Sequence, residues 1–375
     1  MNNALTPSDT VARIEQAARE TGLPLDEVLT RFRELAEGPG RLTADEYIRN
    51  GLHLPNRYSD AERAAFLSSD LHWPIVTRVC DMSWYGAVDD KWLCQSILAG
   101  ASVPVPVTLA VTDRTKRQFP GTPTLRSAAD LAGFLFQRKG RPFFAKPVRG
   151  IGGHGAILIS RVDGTRVHVE GHGAMEPAAF WDALGPVPYL FQDILENHPV
   201  LAKLASHLAT IRLNVFVYDD MVTLAFAVLK LPAAGNVLDS PLRPGNIVCD
   251  VADPEGVIRS IVTSTGTDRV SHALHPETGA PMLGLALPYW AELRKIAAMA
   301  ALVFAPLRYQ SMDIAITPTG PVVVEVNAGG SLGMVQRATR AGFLQPHVRH
   351  FLTVCGVDID AVVAEVDAMR ASAGK

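Results

Sequence analysis

Apolar residues in the first seventy positions recur at the spacing of one helix face. Within residues 25–35, five apolar side chains fall on one side of a predicted helix that Gly38 would end. The earlier stretch VARIEQAARE predicts another helix, which Gly22 would end. We therefore predict a helical N-terminal extension over residues 1–70. It carries no pattern typical of chemistry, so a structural role and a substrate-gating lid both remain open.

From Trp73 onward, helical and extended patterns alternate. Residues 90–99 predict a helix, and VPVPVTLAV predicts a strand whose entry the prolines restrict to an edge or turn. Ser127 is placed to cap a second helix, which leads to the strand PFFAKPV, a glycine-dense loop and the strand AILISRV. Strands flank this loop on both sides, whereas a Walker-type loop opens a helix. The order predicts an α+β fold.

Two predicted hairpins dominate the second half of the chain. The strands IRLNVFVY and MVTLAFAVLKL meet at residues 219–220. A helix predicted over residues 288–303 leads to SMDIAITPTGPVVVEVNAGG, which turns at residues 319–320. Helical patterns over 334–342 and 358–372 follow.

Composition and charge exclude several classes of protein. The 375 residues suffice for roughly two to three domains. Hydrophobic residues make up 48% and charged residues 19%, which is typical of a soluble globular enzyme. A net charge of −3 gives no long-range attraction to nucleic acid or to an anionic membrane. We expect no nucleic-acid partner.

The cysteines and the apolar segments indicate a reducing compartment. Cys80, Cys94, Cys249 and Cys355 lack C-x-x-C spacing, which argues against a zinc site and a disulfide framework. No basic region followed by an apolar run opens the chain, so no signal peptide is predicted. The most apolar later stretch, residues 296–307, is too short to span a bilayer. We expect a cytoplasmic protein without membrane insertion.

The first chemical signal is a strand lysine followed by closely spaced glycines: Lys146, then Gly150, Gly152, Gly153 and Gly155. Such glycines let backbone N–H groups approach an anion without obstruction by Cβ, and the lysine adds a point charge. The motif alone is weak, because many glycine-rich loops are only flexible turns.

The second signal is a set of oxygen donors on one hairpin. Glu325 and Asn327 stand two residues apart, so both point to the same face of their strand. Asp313, on the preceding strand, can come opposite them. Two carboxylates and an amide oxygen suit Mg²⁺, which would keep waters and accept phosphate oxygens. An ordinary polar face is the alternative, although Glu325 lies within the apolar run VVVEVN.

The third signal is Arg212, a cation inside the alternating strand TIRLNVF. It would either lie on a solvated face or reach phosphates or a developing oxyanion.

In this order, the motifs resemble those of the ATP-grasp superfamily. They are D-K at 90–91, F-F-A-K-P-V-x-G-x-G-G-x-G at 143–155, L-F-Q-D-I-L-E-N at 190–197, I-R-L-N-V-F-V at 211–217, and M-D-I-A and E-V-N at 312–327. The segment from Gln192 to Pro199 has the form Q-x-x-L-x-N-H-P and resembles the sugar-transfer-associated branch. The similarity runs from about residue 80 to 345. Gln192-Asp193 and Thr210 depart from positions where relatives often carry acids, which affects the expected base and ribose contacts most.

The resemblance implies an α+β ATP-grasp fold, in which two α+β subdomains clasp ATP behind the N-terminal helical extension. The implied division is a pre-ATP-grasp region over 71–130, a small subdomain with the glycine-rich loop over 131–205, and a large subdomain with the metal site over 206–375.

The resemblance also assigns roles to positions. Arg212 and Lys146 would be catalytic, Glu196 would reach the ribose, and Asp313, Glu325 and Asn327 would hold Mg²⁺. The residues implied in binding ATP are Lys91, Lys146, Gly150, Gly152, Gly153, Gly155, Gln192, Asp193, Ile194, Glu196 and Asn246.

The implied activity is an ATP-dependent ligase that joins a carboxylic acid to an amine, or to a thiol or another nucleophile, through an acyl phosphate. A kinase or phosphotransferase and a non-catalytic ATP-binding protein remain open. A homodimer is the expectation, although no motif specifies the oligomeric state. Gln336, Arg337 and Arg340 would either clamp a substrate carboxylate or lie on a solvated helix surface.

Overall fold

The structure, a computed structural model, describes residues 7–163, 166–241, 243–265 and 268–373. Its helices are α1 (Pro7–Thr21), α2 (Leu25–Glu37), α3 (Ala44–Arg49), α4 (Asp60–Arg63), α5 (His72–Val79), α6 (Tyr85–Asp89), α7 (Lys91–Gly100), α8 (Ala128–Gln137), α9 (Pro177–Leu184), α10 (Pro199–Ala202), α11 (Trp290–Val303), α12 (Leu332–Thr339), α13 (Pro346–Val354) and α14 (Ile359–Ala373). The predicted helices over 90–99 and 288–303 are confirmed as α7 and α11. The helix predicted over 334–342 begins earlier, and it ends before Arg340, which is left-handed at φ 56°.

The strands form a seven-stranded and an eight-stranded sheet within the described residues. They are β1 (Thr108–Thr112), β2 (Thr124–Leu125), β3 (Phe143–Pro147), β4 (Ile157–Asp163), β5 (Arg166–Val169), β6 (Gly173–Met175), β7 (Tyr189–Gln192), β8 (Thr210–Tyr218), β9 (Met221–Leu231), β10 (Ile247–Ala252), β11 (Val257–Ile258), β12 (Val262–Thr265), β13 (Asp268–Ser271), β14 (Tyr309–Thr317) and β15 (Gly320–Ala328). The predicted α+β class is therefore confirmed.

The seven-stranded sheet has the order β2-β1-β7-β3-β4-β5-β6. Phe143, Ile159 and Phe191 fill its core, together with α8 and α9. Ser127 caps α8 as predicted, because its side chain accepts a hydrogen bond from the Asp130 amide. Since β1 and β2 precede residue 131, this sheet begins earlier in the chain than the predicted small subdomain.

The eight-stranded sheet follows the path β13-β12-β10-β9-β8-β14-β15, with β11 paired to β10. Leu213, Ile314 and Met312 belong to the largest apolar core, which α11 also joins. On the other face, α12 packs Met334 and Ala338 over the outer strands. That face carries the polar residues of β8, β9, β14 and β15, so the sheet separates a packed side from a side with chemistry.

A tight turn sets the register of the central hairpin. Asp219 and Asp220 both have positive φ, 49° and 58°. Two left-handed residues form the type of turn whose twist matches that of paired strands. The register that follows places Thr210 opposite Lys230 and Arg212 opposite Val228.

The N-terminal extension has its own apolar core and is bound to the C-terminal helices. Tyr47 and Phe66 are buried in that core. Arg41 forms a two-pronged ion pair with Asp367, at 2.9 and 2.6 Å, and Arg370 pairs with Asp70 at 2.6 Å. The extension therefore packs on the large sheet's side of the molecule. Among the described helices, none has both the length and the apolar character needed to cross a membrane.

Candidate active site

One row of paired residues crosses three neighbouring strands. Asp313 on β14 has Arg212 on β8 as its partner on one side and Glu325 on β15 on the other. The next row on the same face pairs Ser311 with Asn327. The predicted metal residues are thus brought together on one face, with Arg212 beside them.

Asp313 is buried, and two cations hold it. Arg212 donates Nε and Nη2 to its two carboxylate oxygens at 2.8 and 2.5 Å, and Lys230 lies 3.1 Å from Oδ1. Burial alone would raise the pKa of Asp313, but the charges of Arg212 and Lys230 outweigh it and hold the pKa far below the usual range. Asp313 is therefore ionised at neutral pH, and Nη1 of Arg212 makes no hydrogen bond to the described residues.

Lys230 extends this charge network into the loop between β9 and β10. It lies 3.4 Å from Asp239, whose carboxylate also accepts a hydrogen bond from the Thr210 hydroxyl. Burial raises the pKa of Asp239, against the charge of Lys230. No role for Lys230 or Asp239 was predicted from the sequence. The available signal was a lone lysine in the apolar strand MVTLAFAVLKL, on the same face as Arg212.

The two predicted phosphate lysines approach the same carboxylate row, Lys146 from β3 of the seven-stranded sheet and Lys91 from the first turn of α7. Lys91 lies 3.2 Å from Glu325 and donates to the Gly150 carbonyl at 2.5 Å. Lys146 is 7% exposed, and the Val324 carbonyl accepts its only hydrogen bond to the described residues, at 3.4 Å. Burial lowers the pKa of Lys146 to about 8, and the charge of Glu325 opposes that shift.

The glycine-rich loop lies exposed between the two sheets. Gly150, Gly152, Gly153 and Gly155 all have positive φ. A Cβ on Gly153 would lie 2.8 Å from Leu238, so the loop contacts the β9–β10 loop of the other sheet. The glycine-rich loop therefore touches the loop that carries Asp239, and its contact with phosphate stays a prediction.

The segment after β7 connects the two sheets. The side chain of Gln192 is buried and bonded to Gln95 at 2.7 Å, and Asp193 is held by Arg138 at 2.8 Å. Ile194 and Glu196 are exposed. The residues predicted to contact adenine and ribose thus lie on the segment that connects the two sheets, and their roles stay predictions.

Other predicted residues prove to organise loops. Both ends of the Asn246 amide are engaged within its own loop, where it accepts from Ala233 and donates to the carbonyls of Leu238 and Ser240 at 2.7 to 2.9 Å. A phosphate contact by this side chain would require breaking those bonds. Gln336 is buried and bonds both backbone groups of Leu67, so it is not free to clamp a substrate.

The family comparison agrees with this geometry. The family model described as sugar-transfer associated ATP-grasp matches residues 75–351. The chain belongs to this ATP-grasp family. The predicted family and fold are therefore confirmed.

Solved structures of ATP-grasp enzymes are similar at low identity. VanG D-Ala:D-Ser ligase from Enterococcus faecalis is 13% identical with a TM-score of 0.41, over 74% of this chain and 64% of that one. Carboxyaminoimidazole ribonucleotide synthase from asperigillus clavatus, complexed with ATP, is 12% identical with a TM-score of 0.40, over 70% and 53%. The chain thus spans between about half and two thirds of these proteins. Comparison with the curated proteins gives no match.

The residues predicted to hold Mg²⁺ include oxygen ligands of the type that this ion takes. Among the described residues, the buried Nδ2 of Asn327, the Ser311 hydroxyl and the Asn214 Nδ2 beside it have no hydrogen-bond partner, and such groups can donate to phosphate oxygens or to metal-bound water. In the part of the chain that is described, no three His, Cys, Asp or Glu side chains gather as a metal site. Two carboxylates, an amide and unsatisfied polar atoms suit an ion that keeps waters and takes phosphate oxygens.

Proposed function

We propose that the protein is an ATP-dependent ligase that activates a carboxylic acid as an acyl phosphate and transfers the acyl group to an amine or, less favourably, a thiol. The observation that carries this proposal is the convergence of Lys91, Lys146, Arg212 and Lys230 on the carboxylates of Asp313 and Glu325, between two sheets of an ATP-grasp fold.

The balance of charge supports a bound anion. These four cations interact with three carboxylates, those of Asp239, Asp313 and Glu325, which leaves one net positive charge. Adding Mg²⁺ alone would increase the excess of positive charge. A nucleoside triphosphate that arrives with its metal stays anionic and would compensate it. We therefore propose that Asp313, Glu325 and Asn327 hold Mg²⁺ together with ATP, where the ion would neutralise phosphate charge.

The chemistry needs little covalent participation by the protein. A carboxylate oxygen of the acid attacks the γ-phosphorus, the bond from that phosphorus to the β,γ-bridging oxygen breaks, and ADP leaves. Lys146 and the free Nη1 of Arg212 would stabilise the negative charge that spreads over the transferred oxygens. The amine then attacks the acyl carbon, the carbon–oxygen bond to phosphate breaks, and inorganic phosphate leaves as the nitrogen loses a proton.

The test is ADP release with Mg-ATP across a panel of carboxylic acids, each with and without hydroxylamine. Hydroxylamine converts an acyl phosphate to a hydroxamate. We expect ADP and hydroxamate together for the correct acid, and neither product in Glu325→Gln. ADP without hydroxamate, formed only when an alcohol is supplied, would contradict the proposal in favour of a kinase. Tight nucleotide binding without turnover for any acceptor would contradict it in favour of a binding protein.

A further inference from the structure

Four lysine and arginine residues in the described part of the chain are more than nine-tenths buried: Lys91, Lys146, Lys230 and Arg337, at 8%, 7%, 3% and 8% exposure. Lys91 and Lys230 have carboxylate partners within 4 Å. Lys146 has no carboxylate within 4 Å among the described residues, and it faces the proposed phosphate site. Arg337, on α12, also has none, and the proposed nucleotide chemistry does not use it. Of these four residues, Arg337 alone has neither a counter-ion among the described residues nor a role in the proposed nucleotide chemistry.

The guanidinium of Arg337 has one edge free. Nη1 donates to the Pro241 carbonyl at 3.2 Å. Nε is fully buried and has no hydrogen-bond partner, and Nη2 bonds to none of the described residues. Nε and Nη2 form the same edge with which Arg212 grips both oxygens of Asp313. That edge binds carboxylate and phosphate in a two-pronged geometry.

The surroundings of Arg337 carry an excess of positive charge. Burial lowers the pKa of Arg337 to about 10, the charge of Arg49 on α3 acts in the same direction, and Asp45 opposes it. Asp45 is already shared, because Arg13 and Arg49 both pair with it. The Nε of Arg49 is also buried without a partner. Among the side chains that the structure describes, Asp45 is thus the carboxylate that acts on all three arginines, at the boundary between α12, the β9–β10 loop and the N-terminal extension.

An unpaired buried cation destabilises the fold, because burial removes its hydration without supplying a compensating charge. An apolar residue of similar size would stabilise the fold better at this position. The arrangement is consistent with a ligand that supplies the missing negative charge. Arg337 lies near Arg49 and Asp45 of the extension, and it is not among the ion-pair partners described for Asp313.

We infer that Arg337 binds a carboxylate or phosphate group of the substrate, through Nε and Nη2, apart from the carboxylate that is activated. This inference rests on the proposed ligase function for its substrate, and it adds that one substrate of the ligase carries a second oxyanion. It also gives the N-terminal extension a part in substrate binding, through Arg49.

Anion binding can be measured without turnover. The melting temperature is followed with sodium succinate, succinamate or phosphate, against sodium chloride at equal ionic strength, with Mg²⁺ and a non-hydrolysable ATP analogue present. We compare the wild type with Arg337→Gln and Arg337→Lys. The matched control is Arg349→Gln, which removes an exposed arginine of α13. This measurement does not require ATP cleavage. Its result therefore tests anion binding by Arg337 even if the ligase assay is negative.

We expect succinate or phosphate to stabilise the wild type and the Arg349 variant beyond the chloride control, with a weaker effect in Arg337→Lys and none in Arg337→Gln. Stronger stabilisation by succinate than by phosphate would identify a carboxylate, and the reverse a phosphate. Without anions, Arg337→Gln should melt at or above the wild-type temperature. With the acid identified by hydroxamate formation, its KM should rise about 10- to 100-fold with kcat little changed.

Two results would overturn the inference. One is equal anion stabilisation in the wild type and Arg337→Gln, including no stabilisation in either. The other is an anion-free Arg337→Gln that melts well below the wild type, because the arginine would then be a structural cation.

Discussion

The ion pair between Lys230 and Asp239 ties the β9–β10 loop to the carboxylate row, and its removal should have a large effect. Lys230 is 4% exposed in its side chain and lies 3.1 Å from Asp313 and 3.4 Å from Asp239. Lys230→Met keeps the length of the side chain and removes its charge. Asp313 keeps Arg212, whereas Asp239, whose side chain is 17% exposed, keeps among the described residues only the hydroxyl of Thr210. The uncompensated charge is therefore that of Asp239.

Breaking a buried pair on one side costs about 3–5 kcal/mol. For a unit of 150–250 residues, this corresponds to a fall in Tm of roughly 10 °C. Removing both charges, in Lys230→Met with Asp239→Asn, should cost less than the sum of the single changes by about 1–3 kcal/mol. The size of that recovery measures how strongly the two residues depend on each other.

The assay is thermal unfolding of the wild type, both single variants and the double variant at pH 7, with nucleotide affinity measured alongside. We expect Lys230→Met to lower both the Tm and the affinity for Mg-nucleotide, and the double variant to recover Tm without recovering affinity. A Tm for Lys230→Met within 2 °C of the wild type, or strictly additive changes in the double variant, would refute the buried-network account.

Three further predictions concern other parts of the molecule. Burial lowers the pKa of His72 to about 4, so the unfolded chain binds a proton that the folded protein does not. As pH falls from 6.5 to 4, this group alone should therefore lower the free energy of unfolding by about 3 kcal/mol. Urea titrations of His72→Gln should show a flatter dependence of that free energy on pH. Gly155→Ala, whose methyl group would lie 2.9 Å from Tyr189 at φ 73°, should raise the KM for ATP about tenfold, whereas Gly121→Ala, at the same φ in open space, should not. Asn197→Ala removes three hydrogen bonds to backbone groups that follow the connection between the sheets, and it should cost about 3 kcal/mol in urea unfolding, with partial recovery in Asn197→Asp.

Local patterns predict much of this fold because the decisive interactions are close in sequence. The turn at Asp219 and Asp220 and the turn at 318–319, one residue before the predicted position, each join strands whose alternation is visible in the sequence. The two-residue spacing of Glu325 and Asn327 then fixes the face that meets Asp313. The roles assigned to these residues stay predictions, which the structure supports by placing the residues close together. The domain boundaries also stay predictions.

Contacts between distant segments are not visible in such patterns. Asp239 meets Lys230 and Thr210 because the β9–β10 loop folds back over the sheet, and no periodicity encodes that path. The charges that act on Arg337 likewise come from Arg49 and Asp45 of α3, nearly three hundred residues earlier. The helix α13 was also not predicted from the sequence pattern.

The origin of the oxygen in the released phosphate tests the central claim most directly. The acid identified by hydroxamate formation is labelled with oxygen-18 in its carboxylate and turned over with Mg-ATP and the amine. An acyl phosphate made between Lys146, Arg212 and the Asp313–Glu325 row predicts one labelled oxygen in each inorganic phosphate released. Inorganic phosphate without label, while both labelled oxygens stay in the acid-derived product, would contradict the ligase mechanism.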